Sequence, residues 1–450
     1  MKIPKNVSVK SPEYKNNQIN FLGVMQPINR KKFGIRLFEM NKNLDVLYIK
    51  PCFDRTDYNI PMGLIGLMNL IDVNKCGIYS FSLTDEIILN TKIIAMDLHW
   101  YWNMKPIYNL SKQIKKINPD IKIIIGGYTA TIFADIIIKK WPVDFVIVGD
   151  AEKPFKLLVD KLLSNDKNLF SIPNLVMKNH RNKWDYIINS EIFNSIDFVN
   201  IDWFPEYKDI LENEILMDED TISTYSSFLP IARGCHNSCE NCYGSKKNYY
   251  EFSRNTQIVR NADVIKNDLI RLSNNPGRKE VSIISDFIDM YHKNIVNSDF
   301  IDKILKDVKY NLDLIYEFYN IPSIDEIKLF QNSFNYFWFT ISINKCHGQS
   351  NKFCEMEHIL KIIKYVNATN NLHLAILGSF DDKEVVEIIK QLPKKNNKLC
   401  YLNDSSWHLD TPWIYKEQAK MLKQYKKFYS MGIQYSKLNY FEKSLNNPEK

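Results

Sequence analysis

The sequence predicts an α/β protein with two parallel-sheet domains joined by a linker. Short apolar segments alternate with amphipathic ones over residues 44–165, and the alternation resumes over residues 226–405. Strands that alternate with helices of about 10–15 residues indicate a parallel sheet. Three closely spaced cysteines lie near the start of the second region. The chain has 45% hydrophobic and 25% charged residues, with 14 glycines and 17 prolines in 450 residues, which excludes a disordered or fibrous protein.

The first region, residues 44–165, contains five predicted strands and four predicted helices. The strands are Leu44–Lys50, Cys76–Ser82, Ile93–Leu98, Ile121–Ile125 and Val143–Val148. The helices are Met62–Asp72 (opened by Pro61), Ile107–Ile117, Thr131–Lys140 and Lys153–Leu163. This order is typical of a flavodoxin/Rossmann-like domain, which binds its ligand at the carboxyl ends of the strands.

Two turns at the carboxyl ends of these strands carry candidate cofactor-binding residues. They are Gly126, Gly127, Tyr128 and Thr129 after the fourth strand, and Gly149 and Asp150 after the fifth. Glycine lets the backbone approach a flat or phosphorylated ligand, although tight strand–helix turns also use it. The acids after the fifth strand have a second interpretation, which is capping of the helix N-terminus.

The second region, residues 226–405, contains six predicted strands with helices between them. The strands are Phe228–Ala232, Glu280–Ser285, Leu312–Tyr319, Phe334–Ile343, Leu372–Gly378 and Lys398–Leu402. The helices are Gln257–Leu272, Ser298–Asp307, Ser323–Gln331, Cys354–Tyr365 and Lys383–Leu392.

Cys235, Cys239 and Cys242 form a C-x3-C-x2-C motif on the loop after the first of these six strands. Thiolates hold iron–sulfur clusters, and a cluster with four irons usually takes four of them. Three ligands on one short loop leave one iron open to another molecule. The motif therefore predicts a cluster that binds a substrate or cofactor at its fourth iron.

The alternative for this motif is a zinc site with His236, Cys346 or His347 as the fourth ligand. Structural zinc ligands usually come as two pairs, and the sequence has no second Cys-x2-Cys or His-x3-His. The other five cysteines are interpreted mostly as small buried hydrophobic residues. They are Cys52, Cys76, Cys346, Cys354 and Cys400.

The cysteine motif and its flanks resemble the radical S-adenosylmethionine (SAM) superfamily. Arg233-Gly234 before the first cysteine and Tyr243-Gly244-Ser245 after the third are similar to its cobalamin-dependent branch. Asn241 departs from the aromatic residue that many relatives carry before the last cysteine. The six strand–helix units resemble the partial (β/α)6 barrel of this superfamily. The resemblance implies a 4Fe-4S cluster on the three cysteines, with SAM at the open iron.

The first region resembles the cobalamin-binding domain that precedes certain radical SAM enzymes. The similar segments are 59–64, 126–130 and 143–152. The resemblance implies base-off cobalamin without a histidine ligand from the protein. His99 is similar to the histidine of another cobalamin signature, but Trp102 replaces the glycine of that signature. We expect His99 to line the pocket floor or to form a hydrogen bond within the domain.

The same resemblance implies SAM contacts at other strand ends of the second region. Asp286 lies where relatives often carry a Gly-Gly-Glu-like segment for the methionine amine, from which this sequence departs. Ser342 and Asn344 are candidates for the carboxylate or ribose, and Gly378 resembles the glycine turn beside adenine. For each residue, a turn-forming or solvated role is the alternative.

The resemblance implies an enzyme that uses a 5′-deoxyadenosyl radical and methylcobalamin to methylate an unactivated carbon. Radical cyclisation or rearrangement without net methyl transfer is one alternative, and a non-catalytic cobalamin- or cluster-binding protein is another. The implied partners are a small-molecule or peptide substrate and a reducing partner of the flavodoxin or ferredoxin type. The sequence does not assign catalytic side chains.

The net charge of +7 is concentrated at the two ends of the chain. Residues 1–43 carry nine Lys or Arg and two acids, and residues 411–450 carry eight Lys and three Glu. We interpret these ends as solvated and consider nucleic-acid binding unlikely. We expect the linker 166–225 and the tail 406–450 to shape the substrate pocket. The sequence has neither a membrane-length apolar run nor a signal peptide, so we expect a cytoplasmic protein.

Overall fold

The computed structural model describes residues 43–51, 60–99, 103–212, 227–238, 245–253, 257–275, 280–342, 356–378 and 399–403. The basic N-terminal extension, the basic C-terminal tail and the helix predicted over 383–392 lie outside these residues. Within them, two large sheets correspond to the two predicted regions.

The first sheet has seven strands. They are β1 (Leu44–Lys50), β2 (Lys75–Tyr79), β3 (Thr91–Asp97), β4 (Lys122–Gly126), β5 (Phe145–Ile147), β6 (Leu175–Met177) and β7 (His180–Arg181). The order across the sheet is β2-β1-β3-β4-β5-β6-β7, with the first five strands parallel and β6 and β7 antiparallel. This flavodoxin-like order has its switch point between β1 and β3, where ligands bind at the carboxyl ends.

Helices cover both faces of the first sheet. They are α1 (Met62–Asn69), α2 (Asp85–Leu89), α3 (Met104–Ile117), α4 (Tyr128–Lys140), α5 (Glu152–Leu163), α6 (Ser190–Ser195) and α7 (Pro205–Glu212). Ile107 of α3 and Ile137 of α4 share one buried cluster with the sheet, and Leu158 of α5 belongs to the cluster on the other face. The sequence did not predict α2, and it overextended the second strand, because Ser80–Ser82 form a 3-10 turn.

Much of the predicted linker packs against the first sheet. Strands β6 and β7 extend that sheet, which the hydrophobic pattern did not predict because both are very short. The Gly77 N–H donates to the Trp203 carbonyl at 2.7 Å. A Cβ on Gly77 would lie 2.6 Å from the Phe204 ring, so this packing needs glycine. The domain boundaries themselves stay a prediction.

The second sheet has six parallel strands in chain order. They are β8 (Ser227–Pro230), β11 (Glu280–Ile284), β12 (Asp313–Phe318), β13 (Tyr336–Ser342), β14 (Leu372–Gly378) and β15 (Leu399–Asn403). A separate antiparallel pair, β9 (Ala232–Gly234) and β10 (Gln257–Val259), lies between β8 and β11 in the chain. The helix predicted to begin at Gln257 is therefore wrong over its first residues, because Ile258 pairs with Arg233 in this antiparallel pair.

The helices of the second half are α8 (Lys246–Ser253), α9 (Ala262–Asn274), α10 (Phe287–His292), α11 (Ser298–Leu305), α12 (Ile324–Ser333) and α13 (Met356–Ala368). Apolar side chains of α9 and α11–α13 lie in one core cluster with alternate strand residues such as Tyr316 and Phe339. Because strand side chains alternate between faces, Glu317 and Thr340 point to the opposite, concave face. Such one-sided covering is typical of a partial barrel. No described helix is long and apolar enough to cross a membrane.

Candidate active site

The turn after β4 brings bare backbone to the carboxyl edge of the first sheet. Gly127 has a φ of +106°, and a Cβ there would lie 2.9 Å from the Leu98 carbonyl oxygen. The Thr129 hydroxyl donates to the His99 carbonyl at 2.8 Å, which ties this turn to the end of β3. A Cβ on Gly126 would meet nothing closer than the Ile147 carbonyl oxygen at 3.9 Å. The turn thus leaves room beside Gly126, while Gly127 is required by the fold.

Charged and aromatic groups surround His99 at the switch point of the first sheet. Its ring centroid lies 4.7 Å from that of Tyr128. Burial lowers the pKa of His99 to about 4, with Asp97 opposing this shift and Lys50 adding to it. The imidazole is therefore neutral near pH 7. Sequence reasoning missed Lys50, whose side chain is 2% exposed. That His99 lines the pocket floor or bonds within the domain, and does not ligate cobalt, stays a prediction.

The turn after β5 is held from several directions. The Gly149 N–H donates to the Thr131 hydroxyl at 3.0 Å. Asp150 accepts from the Ile188 N–H at 3.0 Å and does not cap α5, whose N-cap residue is Ala151. Burial raises the pKa of Asp150 to about 6, partly offset by the charge of Arg233. The interpretation of Asp150 as a cap of α5 is therefore wrong.

Arg233 of β9 reaches the same turn from the second half of the chain. Its Nη1 lies 2.5 Å from Glu152 Oε1 and 3.4 Å from Asp150 Oδ1. The guanidinium also lies 5.4 Å from the centroid of the Phe193 ring. Sequence reasoning used Arg233 only as part of a motif and could not foresee this contact. The contact brings the strand before Cys235 against the predicted cofactor turn.

Cys235 begins the motif loop, while Cys239 and Cys242 lie outside the described residues. The Asn237 N–H donates to Cys235 Sγ at 3.3 Å, and burial raises the pKa of the thiol. Both ring nitrogens of His236 are engaged, Nδ1 with Gln257 Oε1 at 3.1 Å and Nε2 with Asp289 Oδ2 at 2.6 Å. His236 is therefore not available as a zinc ligand in this conformation. The described residues, which lack two of the three cysteines, contain no group of three metal-ligating side chains.

Asp289, which sequence reasoning missed, ties the motif loop to the second sheet. Asn237 Nδ2 donates to Asp289 Oδ2 at 2.9 Å, and Asn320 Nδ2 donates to Oδ1. Lys293 Nζ lies 3.4 Å from Oδ1 and also donates to the Asn237 side chain. Burial acts to raise the pKa of Asp289, but the hydrogen bonds from His236 and Asn237 outweigh it and lower the net value. This network, the Asp289 network, fixes residues 236 and 237 directly after the first cysteine.

Asp286 is fully buried at the carboxyl end of β11. It accepts from Tyr316 Oη and Tyr319 N, both at 2.7 Å, and caps α10 by accepting from the N–H of Ile288. Burial raises its pKa to about 6. These bonds occupy both oxygens of the Asp286 carboxylate. The contact of Asp286 with SAM stays a prediction. Ser285 before it has a φ of +91°, a conformation that glycine adopts more easily.

Ser342 and Gly378 end the neighbouring strands β13 and β14, with Ser342 opposite Leu377 in the register. Asn344 lies outside the described residues. The concave face below them carries Trp338 and His373, which are opposite each other with ring centroids 4.0 Å apart. Sequence reasoning missed this pair because periodicity shows the two faces of a strand but not which of them the helices cover.

Comparisons with known proteins agree with this architecture. Residues 86–159 match the family model of the B12 binding domain. Among the curated proteins, no relative matches the chain.

The chain has the fold of the cobalamin-dependent radical SAM enzymes, as the resemblance in the sequence indicated. One similar structure is the radical SAM methyltransferase TsrM from Kitasatospora setae with cobalamin and a 4Fe-4S cluster bound (TM-score 0.50, 9% identity, 75% of this chain and 67% of TsrM). Another is the cobalamin-dependent SAM radical enzyme OxsB with aqua-cobalamin and SAM bound (TM-score 0.51, 13% identity, 90% of this chain). The chain spans 56% of the length of OxsB.

The described residues fit such cofactors on two observations. At the turn after β4, a Cβ on Gly126 would make only an ordinary contact, 3.9 Å from the Ile147 carbonyl oxygen, so no close neighbour covers the backbone there. At the motif loop, Cys235 already accepts an N–H from Asn237, and hydrogen bonds to sulfur are one of the ways in which proteins tune iron–sulfur clusters. Gly126 and Cys235 are therefore compatible with these groups, and their roles as cofactor-binding residues stay predictions.

Proposed function

We propose that this protein is a cobalamin-dependent radical SAM enzyme that methylates an unactivated carbon. The observation that carries the proposal is the 2.5 Å contact between Arg233 and Glu152. This contact brings the strand that leads to Cys235 against the carboxyl edge of the B12 binding domain. Radical methylation needs both cofactors near one substrate carbon, and such a junction suits that requirement.

Cys235, Cys239 and Cys242 would hold the 4Fe-4S cluster, and the turns after β4 and β5 would hold cobalamin. When bound, these groups and SAM supply an electron, a 5′-deoxyadenosyl radical and a methyl group. The protein positions them and excludes water. SAM would lie on the concave face of the second sheet, at the strand ends that carry Asp286, Ser342, Asn344 and Gly378. The electron would come from a flavodoxin- or ferredoxin-type partner in a reducing cytoplasm.

The test is anaerobic reconstitution with iron, sulfide, cobalamin and SAM, followed by reduction and chromatography. Methyl transfer by this route uses one SAM as the radical source and another as the methyl source. When a substrate that can lose hydrogen and accept the methyl group is present, we therefore expect 5′-deoxyadenosine and S-adenosylhomocysteine in similar amounts. The absence of deoxyadenosine, with cluster and cobalamin both bound, would contradict the proposed radical role.

The same experiment separates methylation from rearrangement. The name of TsrM describes a methyltransferase, whereas that of OxsB describes only a radical enzyme. A cyclisation or rearrangement would yield deoxyadenosine without S-adenosylhomocysteine. That outcome would contradict methyl transfer but would still support a radical SAM enzyme.

Changing Cys235, Cys239 or Cys242 to Ala should abolish the brown iron–sulfur absorbance and deoxyadenosine formation, because each thiolate would hold one iron. Cys76→Ala is the matched control. This thiol lies on the first sheet, where burial raises its pKa to about 12. Iron content and absorbance should be unchanged in the control. Full absorbance in the triple cysteine variant would show that other residues hold the cluster.

A further inference from the structure

Arg233 makes an ion pair between segments that are far apart in the sequence. It lies two residues before Cys235, and the acids that it contacts directly follow Gly149 or begin α5. The Glu152 and Asp150 side chains are only 4% and 6% exposed. Removing one partner of a buried ion pair is strongly destabilising because it leaves the other charge without compensation. The contact therefore constrains both segments strongly.

Each side of this contact is itself anchored. Arg233 lies on β9, opposite Ile258 of β10, and its guanidinium packs over the Phe193 ring. On the other side, the Asp150 carbonyl accepts from Asn174 Nδ2 at 3.0 Å, and its carboxylate accepts from Ile188 N. Because both sides are held by their own neighbours, the ion pair fixes one segment relative to the other.

We propose that Arg233 is a positioning residue that holds the Gly149 turn against the Cys235 loop and so sets the separation of the two cofactor sites. This inference rests on the proposed function, because the separation matters only when both cofactors serve one substrate. Misplacement by about 1 Å can reduce a reaction rate by about 100-fold. A residue at this junction can therefore control how closely methyl transfer follows radical formation, without touching substrate.

The charge balance explains why arginine suits this position. Two buried carboxylates face one guanidinium, and the second oxygen of Glu152 has no hydrogen-bond partner among the described residues. A planar guanidinium presents several N–H groups in a fork, whereas a lysine ammonium acts as a point charge. Arg233→Lys should therefore keep part of the interaction, and Arg233→Met should remove it while keeping a long side chain.

Three measurements on the full-length chain test this role. In Arg233→Met, amide hydrogen exchange of residues 148–152 should become faster even without cofactors. Cobalamin affinity should fall by about tenfold or more, because the Gly149 turn is no longer held in place. In the reconstituted protein, S-adenosylhomocysteine should fall more than deoxyadenosine. Arg233→Lys and Glu152→Gln should give intermediate values, and they test the contact if the Met variant fails to fold.

Arg271→Met is the matched control. Arg271 also joins distant segments, with Nη2 2.8 Å from Asp197 Oδ2, but it lies on α9 and contacts neither turn. Its exchange pattern over 148–152, cobalamin affinity and product ratio should equal those of the wild type. Wild-type behaviour of Arg233→Met, or equal effects in Arg271→Met, would overturn the inference. A wild-type protein that binds no cobalamin would instead overturn the proposed function. The hydrogen-exchange data would still show whether Arg233 holds residues 148–152 in place.

Discussion

At the scale of single residues, backbone conformation decides where a ligand can approach the first sheet. Gly126 and Gly127 are adjacent, yet their surroundings differ. A Cβ on the first would make an ordinary contact, 3.9 Å from the Ile147 carbonyl oxygen, whereas a Cβ on the second would lie 2.9 Å from the Leu98 carbonyl oxygen. The sequence shows two equivalent glycines, and only the structure separates a position that requires glycine from one that tolerates a side chain.

Gly127→Ala should lower the free energy of unfolding by about 1–3 kcal/mol, because a side chain at a positive φ is strained and this one also meets backbone. Thermal unfolding is the measurement. Gly126→Ala is the control, and its melting temperature should stay near that of the wild type. If both variants melt alike, the argument from the Leu98 contact is wrong. In Gly126→Ala, weaker cobalamin binding with an unchanged melting temperature would support a ligand at the open side.

His99 should make the protein less stable in acid. Its pKa in the folded state is lowered to about 4, so between pH 6.5 and 4 the unfolded chain binds more protons. The stability that this group contributes is present above pH 6.5 and is lost as the pH falls towards 4. Between pH 7 and 5 this loss should be about 2 kcal/mol.

Denaturant unfolding at pH 7 and pH 5 tests this pH dependence. His99→Phe should lose less stability on acidification than the wild type. His180→Gln, which changes an exposed histidine, should keep the wild-type dependence. Equal acid sensitivity of His99→Phe and the wild type would show that His99 is protonated freely in the folded protein.

At the scale of elements, polar side chains connect the cysteine loop to the barrel. The Asp289 network joins residues 236 and 237 to α10 and to Asn320 after β12. None of these contacts follows from hydrophobic periodicity, which predicted the strands well but says nothing about which polar groups meet. The partners lie more than 30 residues apart in the chain, so only the folded arrangement of the strand ends brings them together.

Asp289→Asn should loosen this loop because it removes the charge that His236 and Lys293 face. We expect a loss of about 2–3 kcal/mol in stability, as for other buried charged hydrogen bonds. Iron content after reconstitution should fall as well. Asp302→Asn, which breaks an exposed pair with Lys306, should change stability by less than about 0.5 kcal/mol. Unchanged iron content in Asp289→Asn would mean that the loop does not depend on the network.

At the scale of the whole molecule, residues 166–212 connect the two sheets by packing as well as by chain continuity. Trp203, Phe204 and Tyr207 lie in a core cluster of the first sheet. Arg260, which is 1% exposed, stacks over Phe198 and bonds to Asp268. The same segment therefore contacts both halves, and residues 166–212 are an integral part of the fold.

Phe204→Ala should destabilise the protein by about 3–5 kcal/mol, as for other large core truncations. The reason is that Phe204 is fully buried against β2 and Tyr48. Phe170→Ala is the control, since this ring is 65% exposed. Limited proteolysis should cut residues 166–212 faster in Phe204→Ala only. Equal resistance of the two variants would mean that this segment does not depend on its core contacts.

The sequence by itself determined the alternation of strands and helices, the two glycine turns and the cysteine spacing. These features arise from local periodicity and from residue types with restricted conformations, which do not depend on distant partners. The tertiary structure decided the partner of Asp150, the engagement of His236 by Asp289 and the packing of the predicted linker. Arg233 and Asp150 are 83 residues apart. No local pattern encodes such a meeting, because it depends on how two sheets with separate hydrophobic cores pack together.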